Sequence, residues 1–182
     1  MLLTPRNRPL ATTCLVLFWL HGLVLPTSLN AQIELERVFP SAVSQDSLAK
    51  IKAEGKFPNW PPEIYCDRAD IHIRPLDESG ELEARVPPDA PQGVAWLRLL
   101  DAKGVSKPVP LCIDFRPVIE ETEPNAKFET ASQVAVPAVI CGRLEKNGDV
   151  DCVRIRLTKG QVLSSKIVAN QVLRSPMDAV LQ

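Results

Sequence analysis

Short runs in which apolar and polar residues alternate, each cut off by proline or glycine, constrain this chain more than any other feature. "ELEARV" places Leu82, Ala84 and Val86 on one side and Glu81, Glu83 and Arg85 on the other. "IHIR" alternates likewise, and "VRIRL" sets Val153, Ile155 and Leu157 against Arg154 and Arg156. In "LAKIKAEG", Ala49, Ile51 and Ala53 oppose Lys50, Lys52 and Glu54. A period of two marks a strand with one face buried. The separators "FPNWPP", "DESG", "PPDAPQG", "DAKG" and "KNGD" each supply a proline or glycine that sets a turn. With 17 prolines in 182 residues, long helices are disfavoured. Only "SQDSLAKIKAEG" competes as a helix, and at that length it would be marginal without tertiary support. Strands at this spacing predict an all-β chain built from consecutive antiparallel β-sandwiches.

The first 31 residues stand apart. Arg6 and Arg8 precede the apolar run "LATTCLVLFWLHGLVL", and "PTSLNA" ends in the small residue Ala31. That order is a secretory signal peptide over 1–31, with cleavage before Gln32. The apolar run is shorter than the ~20 residues of a spanning helix. The sequence therefore predicts a protein that is secreted, periplasmic or at the cell surface, with no membrane association after cleavage. Charge is nearly balanced, 21 Lys and Arg against 22 Asp and Glu, and Arg6 and Arg8 leave with the signal. No basic stripe remains, which argues against nucleic acid as a partner.

"RPVIEETEPN" divides the rest. Two prolines and three glutamates do not suit a central strand and read as an extended linker. The expected organisation is a first sandwich over 32–116, a linker over 117–122 and a second sandwich over 121–182.

Catalytic chemistry is poorly supplied. His21 falls in the signal, leaving His72 as the single histidine, on the polar side of "IHIR". The chain contains no G-x-S-x-G elbow and no H-E-x-x-H pair. Nor is there a glycine-rich phosphate loop among its eight glycines. These observations predict a protein that is not an enzyme. Trp60, Tyr65 and Trp96 raise the idea of an aromatic binding surface. Trp96 shares parity with Val94 and Arg98 and suits packing at the rim, and Trp60, between prolines, is the better candidate for exposure.

Four cysteines follow the signal: Cys66, Cys112, Cys141 and Cys152. In an exported chain they permit two disulfides in three connectivities. Their distribution, one pair in each half, favours Cys66–Cys112 and Cys141–Cys152, with buried thiols as the alternative. If Ile140, Gly142 and Leu144 face inward together with Val153 and Ile155, Cys141 and Cys152 share the outer face of neighbouring strands.

The remaining signal is two pairs of carboxylates, Glu121 with Glu123 and Asp149 with Asp151. In extended chain, residues i and i+2 project to one side, so each pair points together. Asp149 and Asp151 share parity with the inward Val153 and Ile155. Four carboxylates gathered at a sandwich rim repel one another unless a cation sits among them. Calcium, which accepts six to eight oxygens in loose geometry, fits the set, and the Asn125 amide adds another oxygen. The alternative is a solvated acidic linker followed by an ordinary N-G-D turn.

Two resemblances follow from longer stretches. "VFPSAVSQDSLAKIKAEGKFPNWPPEIYCDRADIHIRPL" with "PPDAPQGVAWLRLLDAKGVSKPVPLCIDF" resembles the immunoglobulin-like, TIG-type domains of exported bacterial proteins. The segment 121–182 resembles the bacterial pre-peptidase C-terminal domain. Its marks are E-x-E-P-N at 121–125, G-R-L at 142–144, G-D-V-D at 148–151, K-G-Q at 159–161 and S-P-M-D-A-V-L at 175–181. The second resemblance implies a β-sandwich of the kind appended to secreted peptidases and collagenases, and an incomplete one, since the family continues with further strands. It also implies calcium at Glu121, Glu123, Asn125, Asp149 and Asp151, because collagen-binding members hold the ion through the E-x-E-P-N linker and a following Asp pair. Ala126 departs from the Asp or Asn usual there, which implies weaker binding or the loss of one of two ions. The function implied is a non-catalytic binding or scaffold module whose partner is an extracellular protein, a polysaccharide or a peptidase domain. The alternative is the N-terminal remnant of a secreted subtilisin-like or other peptidase.

Overall fold

Alternation becomes strand pairing almost wherever the sequence shows it. The structure, a computed structural model, describes residues 32–177, 180 and 181. The expected signal peptide over 1–31 lies outside them. Nine strands make the first half: β1 (Glu34–Phe39), β2 (Ala42–Ser44), β3 (Ser47–Lys56), β4 (Glu63–Cys66), β5 (His72–Pro75), β6 (Glu81–Val86), β7 (Gly93–Asp101), β8 (Gly104–Val105) and β9 (Val109–Asp114). "SQDSLAKIKAEG", the helix competitor, is the long strand β3.

The strands form two sheets. One runs β1-β3-β6-β5 and is antiparallel throughout; the other runs β2-β9-β7-β4, with β8 added to β7. Leu82, Ala84 and Val86 face inward as their alternation predicts, and join Leu35, Ile51 and Ala53 from their own sheet. Val43, Leu97, Leu99, Leu111 and Ile113 meet them from the other. Burial of these side chains stabilises the sandwich by roughly 1.5–3 kcal/mol each before chain entropy is counted. Gly55 marks a bulge in β1, where the register shifts between Leu35 and Arg37. A Cβ at Gly55 would fall 2.0 Å from the Glu34 carbonyl oxygen, so only glycine fits.

The second half is built differently. It holds β10 (Val118–Glu120), β11 (Ser132–Val134), β12 (Val139–Cys141), β13 (Val153–Ile155) and one helical turn, α1 (Asn170–Leu173). β10 pairs with β12 and β11 with β13, both parallel. The antiparallel ladders expected here are thus replaced by two short parallel pairs. The segment 117–122, expected as a linker, carries the paired strand β10. Its proline is tolerated because Pro117 lies just outside the strand and three residues suffice for the pairing. Burial is sparse: Ala131, Val134, Cys141 and Ala169 are the buried hydrophobic residues described in this half.

The halves are joined through β2. The Ser44 hydroxyl accepts the Val118 N–H (3.0 Å) and donates to the Arg116 carbonyl (3.2 Å). Arg143 reaches Glu54 on β3 (2.5 Å) and lies 3.9 Å over the Phe39 ring. No helix among the described residues is long and apolar enough to cross a membrane.

The expected disulfides are not formed; Cys66, Cys112, Cys141 and Cys152 are free thiols. Cys66–Cys112 is ruled out by topology. Cys66 pairs with Leu97, and Leu97 with Val109, whereas Cys112 pairs with Val94. β4 and β9 flank β7, so their backbones lie about 10 Å apart, beyond the ~7 Å between Cα atoms that a disulfide spans. Cys66 also packs on the core face, and Cys112, between the core residues Leu111 and Ile113, points away from it. The expected face of Cys141 is reversed as well. Ile140 and Leu144 are exposed, and Cys141 is buried, with its Sγ 3.9 Å from Ser41 Oγ. Burial first, then the neighbouring Cys141 sulfur, push the Cys112 thiol up.

Aromatic residues divide between rim and surface. The Trp60 indole donates to the Leu76 carbonyl (2.7 Å) and packs against Phe57 and the core, so it is a rim residue, not the exposed one. Tyr65 is exposed. Trp96 lies under Arg174 at 4.8 Å.

Candidate metal centre

The parallel register of β10 and β12 builds the site. Glu120 pairs with Cys141, and the ladder runs one step further as the Glu121 N–H donates to the Cys141 carbonyl (3.0 Å). Glu121 thereby comes to lie over Gly142, and its Oε1 accepts the Arg143 N–H. A second backbone bond, from the Cys152 N–H to the Asn125 carbonyl (3.0 Å), brings the 151–152 segment alongside.

Three of the five expected ligands converge. One carboxylate oxygen from each of Glu121, Glu123 and Asp151 lies within 4.8 Å of the other two. Asn125 completes the group. It is 3% exposed, its Nδ2 donates to Glu121 Oε2 (3.3 Å), and its N–H donates to Glu123 Oε2 (2.9 Å). Its Oδ1 is buried with no hydrogen-bond partner. A buried amide oxygen left unpaired costs about 1–3 kcal/mol, so this atom asks for a donor or a cation.

Asp149 plays another part. Its Oδ2 accepts the Glu145 N–H (2.7 Å) and closes the 145–149 turn. Its charge nevertheless reaches Asp151. Partial withdrawal from water, then the negative charges of Glu121, Asp149 and Glu123, push the Asp151 carboxyl up to about 6, and a hydrogen bond from Asn125 opposes them. A carboxyl this reluctant to ionise marks uncompensated negative charge.

A cavity of about 20 Å³ opens beside the cluster between Glu121, Thr122, Asn125, Cys152 and Val153, room for about one water-sized group. The donor set is all oxygen, three carboxylates and an amide, which suits a hard cation such as calcium over zinc or copper. Two residues of the site escaped the sequence reading. Gly142 leaves the space that the Glu121 carboxylate occupies, and the Arg143 N–H orients that carboxylate. "GRL" reads locally as a strand start, and nothing in it points across to Glu121. His72 stands exposed on the edge strand β5.

No protein-family model matches the chain, and no curated protein matches it. Among solved structures it is similar to SGBP-B of the Bacteroides ovatus mixed-linkage glucan utilization locus, determined with a mixed-linkage heptasaccharide. The identity is 13% and the TM-score 0.30, over 58% of this chain and 25% of that one. The chain thus spans about a quarter of that protein's length, and a likeness of this degree says nothing about ligands.

Proposed function

We propose that this protein is an exported, non-catalytic β-sandwich module whose second half is held in shape by calcium. The observation that carries this reading is the convergence of three carboxylates on the buried Asn125 amide, whose Nδ2 donates to Glu121 and whose Oδ1 has no partner. Glu121, Glu123 and Asp151 would each give the ion an oxygen, Asn125 would give its Oδ1 once its amide turns over from the present bond to Glu121, and water would fill the remaining positions. Positive charge there would relieve the crowding felt by Asp151 and pair the amide oxygen. The ion would also tie the 121–125 segment to the 151–152 segment that leads into β13, in a half where few apolar side chains are buried. The module would then present its surfaces to an extracellular protein or polysaccharide, or to a peptidase domain.

Calorimetry and thermal melting of the full chain with calcium against a chelator control test the proposal. Binding heat, and a melting temperature that rises with calcium in the parent but not in Asp151→Asn, are expected. No heat and no rise would overturn it.

A further inference from the structure

Cys112 and Cys141 belong to different halves of the chain, yet both meet Ser41. The Cys112 N–H donates to the Ser41 carbonyl (2.9 Å), and Cys141 Sγ lies 3.9 Å from Ser41 Oγ. Cys112 is also in register with Ala42 on the parallel neighbour β2, so their side chains leave the sheet on the same side, away from the sandwich core. Ala42 is nonetheless only 3% exposed. The cover is the second half, which sets β10 beside β2 and Cys141 against Ser41. Cys152 lies elsewhere: it lines the cavity beside the acidic cluster together with Ile140, whose side chain leaves β12 on the face opposite to Cys141.

We propose that Cys112 and Cys141 form a disulfide that fastens the sandwich to the β10–β12 pair, in place of the two pairings within halves. The oxidant is a small or protein disulfide, for which oxidised glutathione serves as the probe. Cys112, the less buried of the two, loses its proton to solvent and attacks one glutathione sulfur, giving a mixed disulfide and one glutathione thiolate that takes up a proton. Cys141 then loses its proton to solvent, and its thiolate attacks the Cys112 sulfur and expels the second glutathione as a thiolate that takes up a proton. Two protein thiols are oxidised to one disulfide as one glutathione disulfide is reduced to two thiols. Cys66, packed on the core, and Cys152 remain thiols.

Peptide mapping of the full chain decides the pairing. The protein is equilibrated in a glutathione redox buffer, alkylated without reduction and digested with trypsin. Lys127 separates Cys112 from Cys141, Arg143 and Lys146 separate Cys141 from Cys152, and Arg68 separates Cys66 from Cys112. The expected product is a linked pair of peptides holding Cys112 and Cys141, with Cys66 and Cys152 alkylated. Because a single serine variant at either site could misfold, the decisive variant is Cys66→Ser with Cys152→Ser, which keeps the proposed pair and Cys14 of the expected signal peptide and should give the same linked product. A Cys141–Cys152 or Cys66–Cys112 link, four alkylated thiols, or no linked product from the double variant would overturn the proposal.

Discussion

Gly142 lies directly beneath the Glu121 carboxylate: a Cβ at residue 142 would come 2.6 Å from Glu121 Oε2. The need is for space alone, since the atom it would meet is the mobile end of a side chain and not backbone. Gly142→Ala should therefore leave the metal-free fold within about 0.5 kcal/mol of the parent. It should push the carboxylate out of the cluster and weaken calcium binding by roughly 10–100-fold, the scale on which groups that orient a metal ligand act. Calorimetry and a calcium-free melt measure the two effects separately. A variant that binds as tightly as the parent would detach Glu121 from the site.

Asp151 makes the site sensitive to acid. Its carboxyl titrates at about 6 in the folded chain against an ordinary 3.8. Between those values the folded chain holds more protons than the unfolded one. Metal-free stability should fall as pH rises from about 4 to about 6 and then level off. Calcium needs the ionised carboxylate, so its affinity should climb through the same window. The melting-temperature gain from calcium should be small at pH 4.5 and full at pH 7.5. A gain independent of pH across that range would place the ion away from Asp151.

Removing the same charge should separate stability from binding. At pH 7.5 Asp151→Asn relieves repulsion from Glu121, Asp149 and Glu123 and keeps a polar group beside Asn125. We expect the calcium-free variant to be more stable than the parent, on the order of 0.5 kcal/mol after screening by solvent. Its response to calcium should fall at least tenfold. Most substitutions destabilise, so a gain in the absence of calcium, read by denaturant titration, is a specific outcome.

The sandwich was legible from Leu82, Ala84 and Val86, whose alternation and burial coincide, and from the proline and glycine turns between runs. A half-buried strand announces itself locally because its two faces meet different solvents. The second half hid more. Its strands are three residues long, too short for alternation to show which face is covered, and Cys141 proved to face Ser41 when Ile140 and Leu144 were expected to face inward. Parallel pairing between Val118 and Val139 leaves no hairpin signal, because parallel neighbours need no tight turn. Spacing by two makes Glu121 and Glu123 legible as a pair, but Asp151 joins them through the backbone bond from the Cys152 N–H to the Asn125 carbonyl, which no local pattern shows. Asp149 was not separable from Asp151 by parity, since what distinguishes them is the Glu145 N–H that turns Asp149 back into its own loop. Gly142 and Arg143 act through the register of strands from distant parts of the chain.

Arg143 offers the test of how firmly the two halves are joined. Its guanidinium lies 3.9 Å over the Phe39 ring and 2.5 Å from Glu54. Burial alone would raise the Glu54 carboxyl, but hydrogen bonds from Arg37 and Arg143 outweigh it and hold the carboxyl below its ordinary 4.5. The contribution of that pair is present above pH 4.5 and lost as pH falls through the lowered value. The cation over the ring adds about 0.5–1 kcal/mol, and a partly exposed ion pair about 0.2–1 kcal/mol. Arg143→Ala should thus lower stability by about 1–2 kcal/mol at neutral pH. Part of the loss should disappear in a Glu54→Gln background, where the double-mutant cycle reads the coupling. Calcium affinity should stay within about threefold of the parent, because the N–H that orients Glu121 belongs to the backbone and survives the substitution. A cycle with no coupling would show that Glu54 and Arg143 act independently. A loss of calcium binding as large as that in Gly142→Ala would show that the Arg143 side chain, and not its amide, sets the site.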